Sequence, residues 1–301
     1  MTLIFIVGAT ATGKSSLALE IAERIQGEII NADSMQLYRG MDIGTAKVPM
    51  KERRGIPHHL IDILNVSEDS SVASYQSQAR EIIDRLSSVG KDVVVVGGTG
   101  LYVKSILDEL EFPETDPKIR AAIAAEAERI GGDAMHERLA KLDPAAAAAI
   151  PKENVRRVVR ALEVIELTGK PFTANLPKAG HSRYPKARQF GLVMDRENLR
   201  ERIDARVELM WKAGFVDEVS SLIPQGIKNG KTAQAALGYS HILAFLDGKI
   251  SESEAKEETK RATRQYARRQ ETWFSRDERI SWLKPREDRT LAEQVLSSTI
   301  G

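Results

Sequence analysis

Eight residues near the start, Gly8-Ala9-Thr10-Ala11-Thr12-Gly13-Lys14-Ser15, fit G-x-x-x-x-G-K-[ST], the phosphate-binding loop pattern. Their flanks restrict the fold further. Leu3 to Val7 is a continuous apolar run of the kind buried on both faces of a parallel sheet. After the loop, Leu17, Ala18, Ile21, Ala22 and Ile25 recur at helical spacing over Ser16–Ile25. Strand, glycine loop and helix are the context in which the pattern carries chemistry. Loop N–H groups turn inward around phosphate oxygens, Lys14 adds a point charge, Ser15 is placed to ligate Mg²⁺, and the helix adds its positive end. None of this requires a nucleoside triphosphate such as ATP; a diphosphate fits as well.

The pattern repeats downstream. Glu28 to Ala32 reads as a second strand ending in Asp33-Ser34, and Ser71 to Val89 as a helix stopped by Gly90. Val93 to Val96 reads as a central strand followed by Gly97-Gly98-Thr99-Gly100. The alternation predicts an α/β fold with a doubly wound parallel sheet of the P-loop type, its ligands at the carboxyl ends of the strands. Gly8, Asp33 and Thr99 all fall just past such ends. From Asp116 the chain turns helical and alanine-rich, with Asp143-Pro144 and Ile150-Pro151 as breaks. Residues 116–194 carry 14 Lys and Arg against 9 Asp and Glu, a net +5 in a chain whose total is +1. The expected organisation is a catalytic core of 1–115 and 195–301 interrupted by a basic helical insertion over 116–194. Gln189 to Met194 reads as a strand returning to the core, then Glu197–Leu222 and Ser251–Phe274 as long helices.

Totals exclude other chemistry. With no cysteine there is no disulfide, thiolate metal site or cysteine nucleophile. No apolar run approaches the ~20 residues a membrane helix needs, and no basic n-region precedes Leu3, so a cytoplasmic protein is expected. His58-His59 with Asp62 lacks the further ligands of a zinc site.

A P-loop NTPase also needs a strand-end aspartate for Mg²⁺. The Val93–Val96 strand ends in Gly-Gly-Thr instead, and Asp92 lies at its start, on the wrong side of the sheet. The remaining strand-end acid is Asp33, placed to serve Mg²⁺, to take a proton from a nucleophile, or to cap a turn. Two basic stretches suit a phosphate backbone or a solvated helix face: Arg156, Arg157 and Arg160, and the stripe of Lys260, Arg264 and Arg268 with Tyr266, Arg269, Trp273 and Phe274 nearby. A small-molecule kinase would share the loop but leaves the basic insertion and missing aspartate unexplained; an RNA-binding ATPase is a third reading.

Taken in order, the loop, Asp33-Ser-Met-Gln-Leu-Tyr-Arg-Gly-Met-Asp-Ile-Gly-Thr-Ala-Lys47, Pro57-His-His-Leu-Ile-Asp62, Gly97-Gly-Thr-Gly-Leu-Tyr102, Arg160-Ala-Leu-Glu163, Gln234-Ala-Ala-Leu-Gly-Tyr239 and Arg268-Arg-Gln-Glu-Thr-Trp-Phe274 resemble the isopentenyl-tRNA transferase family of tRNA dimethylallyltransferases. The resemblance implies transfer of a dimethylallyl group from dimethylallyl diphosphate to the exocyclic amine of adenosine at tRNA position 37, beside the anticodon. It implies Asp33, Thr99 and Arg206 as catalytic residues, with Asp33 as the base. Gly8 to Ser15 would hold diphosphate, with Mg²⁺ on Ser15. The tRNA contacts implied are Asp33, Ser34, Met35, Gln36, Arg156, Arg157, Arg160, Gln234, Gly238, Tyr239, Arg268, Arg269, Gln270 and Trp273, with the insertion on the anticodon stem. No sequence feature demands a dimer, and a monomer is expected. Ala9 and Thr12 depart from the Pro and Ser frequent in the family's loops, and both leave the backbone cradle intact.

Overall fold

The computed structural model describes residues 1–175, 182–285 and 288–299. The chain divides into two compact units, Met1–Leu107 with Tyr184–Gly301, and Asp108–Arg183.

The first unit begins with β1 (Leu3–Val7), α1 (Lys14–Arg24), β2 (Glu28–Asn31), β3 (His58–His59), α2 (Val72–Ser88), β4 (Val93–Gly97) and α3 (Gly100–Leu107). The second unit holds α4 (Pro117–Ile130), α5 (Gly132–Leu142), α6 (Pro144–Ala149) and α7 (Val155–Thr168). The first resumes with β5 (Arg188–Leu192), α8 (Arg196–Lys212), α9 (Phe215–Leu222), α10 (Tyr239–Leu246), α11 (Glu252–Phe274), β6 (Ile280–Leu283) and α12 (Leu291–Ser297). The six strands pair in parallel in the order β3-β2-β4-β1-β5-β6.

Period-two alternation explains why the central strands are apolar throughout. Leu3, Phe5 and Val7 of β1, with Val93 and Val95 of β4, pack into one cluster with Tyr75, Ala79 and Ile83 of α2 and Val103 and Ile106 of α3. Ile4 and Ile6, with Val94, pack into another with Leu17, Ala18 and Ile21 of α1 and Val295 of α12. Each such Val, Leu, Ile or Phe side chain, fully buried, contributes roughly 1.5–3 kcal/mol. Both faces are thus sealed by helices, and the strand ends are left for chemistry.

In the second unit the caps are the ones its sequence advertises. Asp116 accepts from the Lys118 and Ile119 amides, Asp143 from Ala146, and Asn154 from Arg157, while Gly169 ends α7 at φ 65°. Its own core gathers Ile123, Met135, Leu139, Ile150, Val158 and Leu162.

Two expectations need correction. The insertion runs over 108–183 rather than 116–194, because Arg188–Leu192 is β5, a core strand hydrogen-bonded between β1 and β6. The helix expected over Glu197–Leu222 is two helices, since Gly214 takes φ 94° and turns the chain after Lys212. By contrast Ser251 opens α11 with a full capping box to Glu254, and the helix runs unbroken to Phe274.

Candidate active site

The loop after β1 leads directly into α1, with Gly13 as the preceding residue at φ 98°. Ala11 holds the left-handed φ of 65° without being glycine. Thr12 donates its hydroxyl to the Ala9 carbonyl at 2.8 Å, and Lys14 Nζ donates to the same oxygen at 2.5 Å. From α8, Arg202 Nε donates to the Ala11 carbonyl at 3.0 Å, and Arg206 Nη1 lies 3.5 Å from Thr10 Oγ1. Leu199, Ile203 and Ala267 pack on Ala9 and Ala11 from behind. The loop is therefore held by helices α8 and α11, far along the chain.

Asp33 follows β2. Its backbone amide donates to Asn31 Oδ1 at 3.0 Å, and its carboxylate accepts the Met35 amide at 2.9 Å. The buried Asn31 side chain also donates to the Asp33 and Leu60 carbonyls. Thr99 joins this strand end to that of β4: its amide donates to the Ala32 carbonyl and its Oγ1 accepts the Ser34 amide at 3.1 Å. Asp33 and Thr99 thus converge. Asp92 is at the other end of β4, accepting the Thr2 amide, and takes no part.

Two adjoining cavities share Thr10, Asp33, Thr45, Ala46 and Arg206. The smaller, about 100 Å³, is lined by the loop, Lys14, Ser15, Asn31, Gln36 and Gly98. The larger, about 300 Å³, adds Ser34, Met35, Met210, Phe215, Thr263, Tyr266 and Arg269. Burial pushes the Asp33 carboxyl above the ordinary carboxylate range, opposed by the Met35 amide and the Lys14 charge. Burial lowers Lys14 to about 8, against the pull of Asp33. Tyr266 is pushed up to about 12 by burial and the Asp33 charge. A polar, charge-bearing pocket thus abuts one with an apolar wall.

Ser15 Oγ and the Asp33 carboxylate give the smaller cavity hard oxygen donors. Among the described residues no group of three or more His, Cys, Asp or Glu side chains could hold a metal alone. That donor set fits Mg²⁺, which keeps waters and binds through one or two protein oxygens plus phosphate.

The remaining sequence-selected residues separate into exposed and committed ones. Arg156 and Arg157 are exposed on α7, and Arg268, Arg269 and Trp273 on α11. Gln234 is half-buried in the turn Ala233–Ala235. Arg160 is not a free cation: it donates to the fully buried Glu163 at 2.8 Å and to the Pro113 and Glu114 carbonyls. Lys260 is paired with Glu208 and Glu257, and Arg264 with Asp204, so two members of the α11 basic stripe lie in ion pairs, both reaching α8. Tyr239 is fully buried, donates its hydroxyl to Glu218 at 2.6 Å and lies in the lining of the larger cavity. Gly238 sits at φ 84°, where a Cβ would meet the Phe215 ring at 2.6 Å. Gln270 is 5% exposed and hydrogen-bonded at both ends of its amide inside the protein, with Tyr266 as a further partner.

Glu218 and Lys47 carry the 33–47 segment, and neither role was signalled by local sequence. Glu218 accepts the amides of Asp42 (3.0 Å), Ile43 (2.7 Å) and Gly44 (3.2 Å). Buried Lys47 bridges Asp42, Asp62 and the Tyr38 carbonyl. Gln36 closes the segment onto the Thr45 carbonyl at 3.0 Å. Together these set Thr45 and Ala46 in the wall of both cavities.

A parallel sheet sealed by helices, with an anion cradle and a raised carboxylate at its carboxyl edge, defines an α/β protein of the P-loop type. A profile of the IPP transferase family matches residues 36–277, and the chain belongs to that family. The tRNA dimethylallyltransferase of Thermobifida fusca is 57% identical over 287 residues, 94% of this chain and 89% of that protein. That of Streptomyces griseus is 56% identical over 280 residues, 93% and 89% of the two chains. The crystal structure of a tRNA isopentenylpyrophosphate transferase from Bacillus halodurans superposes with TM-score 0.70 at 40% identity, over 99% of this chain and 94% of that one. A eukaryotic dimethylallyltransferase acting on tRNA gives TM-score 0.83 at 28% identity, over 98% and 77%.

Proposed function

We infer that this enzyme transfers the dimethylallyl group of dimethylallyl diphosphate to the exocyclic amine of adenosine at position 37 of tRNA, releasing diphosphate. The observation that carries the reading is the pairing of cavities: an anion cradle opens into an apolar-walled pocket, with Asp33 at their junction. The adenine amine is a weak nucleophile because its lone pair is delocalised into the ring. Its attack on the allylic carbon forms the C–N bond as the C–O bond to diphosphate breaks, and the amine loses a proton. Asp33 takes that proton; burial raises its pKa and makes it a stronger base than an exposed aspartate. Lys14, Arg206 and the loop amides meet the negative charge that grows on the leaving diphosphate, more strongly as the bond breaks. Mg²⁺ on Ser15 Oγ would supply further charge neutralisation there. Thr99, bonded to Ser34, keeps the Asp33 turn in place beside the base.

To reach Asp33 the adenine leaves its stack, at a cost of a few kcal/mol, about that of extruding an unpaired base. Arg156 and Arg157 on α7, with Arg268, Arg269 and Trp273 on α11, are the exposed residues suited to phosphate and base contacts that offset it. No described helix is long and apolar enough to cross a membrane. In this reading the protein acts as a monomer.

Incubation with labelled dimethylallyl diphosphate, Mg²⁺ and unmodified tRNA tests the proposal. Label entering tRNA, and lost on removing the target adenosine, is expected. Free label with consumption of ATP would point to a kinase or ATPase instead.

A further inference from the structure

Gln270 stands apart from the rest of the α11 motif. Its neighbours Arg268 and Arg269 are exposed, but Gln270 points inward and spends both ends of its amide on other elements. Oε1 accepts the backbone amide of Thr10 in the loop at 2.8 Å, and Nε2 donates to the Gly98 carbonyl after β4 at 2.8 Å. A Cβ on Gly98 would fall 2.1 Å from that Nε2, so only glycine leaves room for the joint. The Thr10 amide is thereby pinned in the loop that lines the smaller cavity. We propose that Gln270 is the positioning residue of the diphosphate loop: it fixes the Thr10 peptide against the β4 end, and so sets the anion cradle rather than contacting tRNA. The proposal rests on the reading of that cradle as the diphosphate seat.

The geometry has a chemical signature. A glutamate in this place is the same shape and still accepts from Thr10. Ionised, it loses the donor to Gly98 and sets two oxygens against each other. Protonated, its O–H donates to Gly98 and the joint is restored. Lys14, Asp33, Arg206, Tyr239, Tyr266 and Arg269 are the charged or titratable groups of the adjoining cavities, and Tyr266 is itself hydrogen-bonded to Gln270; the neutral Gln270→Met leaves their titration free of a new charge and separates loss of the joint from their response to one.

The test compares the parent, Gln270→Glu and Gln270→Met between pH 6 and 8.5. It measures kcat and KM for dimethylallyl diphosphate, the affinity for inorganic diphosphate with Mg²⁺ by calorimetry, and the affinity for unmodified tRNA. For Gln270→Met, which keeps the volume and loses both bonds, the KM and the diphosphate dissociation constant should rise about tenfold, as expected for stranding a buried amide. tRNA affinity should stay within about twofold of the parent. For Gln270→Glu the activity ratio to the parent should climb as pH falls. A ratio flat in pH, or weakened tRNA binding with diphosphate binding unchanged, overturns the proposal. If Gln270→Met does not fold, the pH ratio of Gln270→Glu still decides. Were the parent to bind diphosphate yet transfer nothing to tRNA, the reaction assignment would fail while the calorimetric comparison still tested Gln270.

Discussion

At the residue scale, the two central charges of the site oppose folding. Asp33 has a raised folded pKa, so the folded state holds its proton more tightly than the unfolded chain. Stability is therefore lost as pH rises from the ordinary aspartate value through the raised one. Asp33→Asn should melt higher than the parent at pH 7, while its single-turnover transfer falls by about 10²-fold or more and tRNA affinity holds. A lower melting temperature, or undiminished transfer, contradicts the role. Lys14 is shifted the other way, to about 8, so stability is lost as pH falls from the ordinary lysine range toward 8. Diphosphate restores the ammonium, and at pH 8.5 its binding should take up protons, read by calorimetry in buffers of different ionisation enthalpy. Lys14→Met should take up fewer. Asp33 and Lys14 were legible because a strand end and a glycine loop fix where the next polar residues go. Gln270 and Tyr239 were not. Gln270's partners lie 260 and 172 residues away, and nothing local tells an inward glutamine from an outward one.

At the element scale, the site is a set of strand-end loops clamped by helices that arrive late in the chain. Glu218 of α9 is the clearest clamp, with three successive amides and one phenol on a single carboxylate. Glu218→Ala strands these donors and should cost about 2–5 kcal/mol, seen as a lowered melting temperature. It should also raise the KM for tRNA, because Thr45 and Ala46 lose their place in the cavity wall. Gly98→Ala should reproduce the kinetics of Gln270→Met, since its methyl occupies the space of the glutamine amide. The apolar strands and the capped α11 announce themselves by periodicity. The two-residue β3 and the break at Gly214 do not, being set by pairing to β2 and by one backbone angle.

At the scale of the whole molecule, the basic insertion separates binding charges from structural ones. Arg156→Ala or Arg157→Ala should weaken tRNA binding and lower its salt slope by about one, without affecting thermal stability. Arg160→Ala should instead destabilise Asp108–Arg183, because the fully buried Glu163 loses one of its two guanidinium partners. Thermal melts and salt titrations of the same variants distinguish the two classes. The insertion itself was visible as a shift in charge and alanine content. Its ends were less so: β5 reads from its sequence as a strand returning to the core, but nothing in charge or composition marks Asp108 or Arg183 as the boundaries. Asp108 and Ser182 pair in an antiparallel bridge, so the unit leaves and re-enters through neighbouring residues. For the sheet, the loop to be closed is one strand spacing wide, about 5 Å, however long the chain beyond it. Added helical turns in the insertion would then cost the core no further closure entropy, and the unit's length is free to vary without charge to the stability of the sheet.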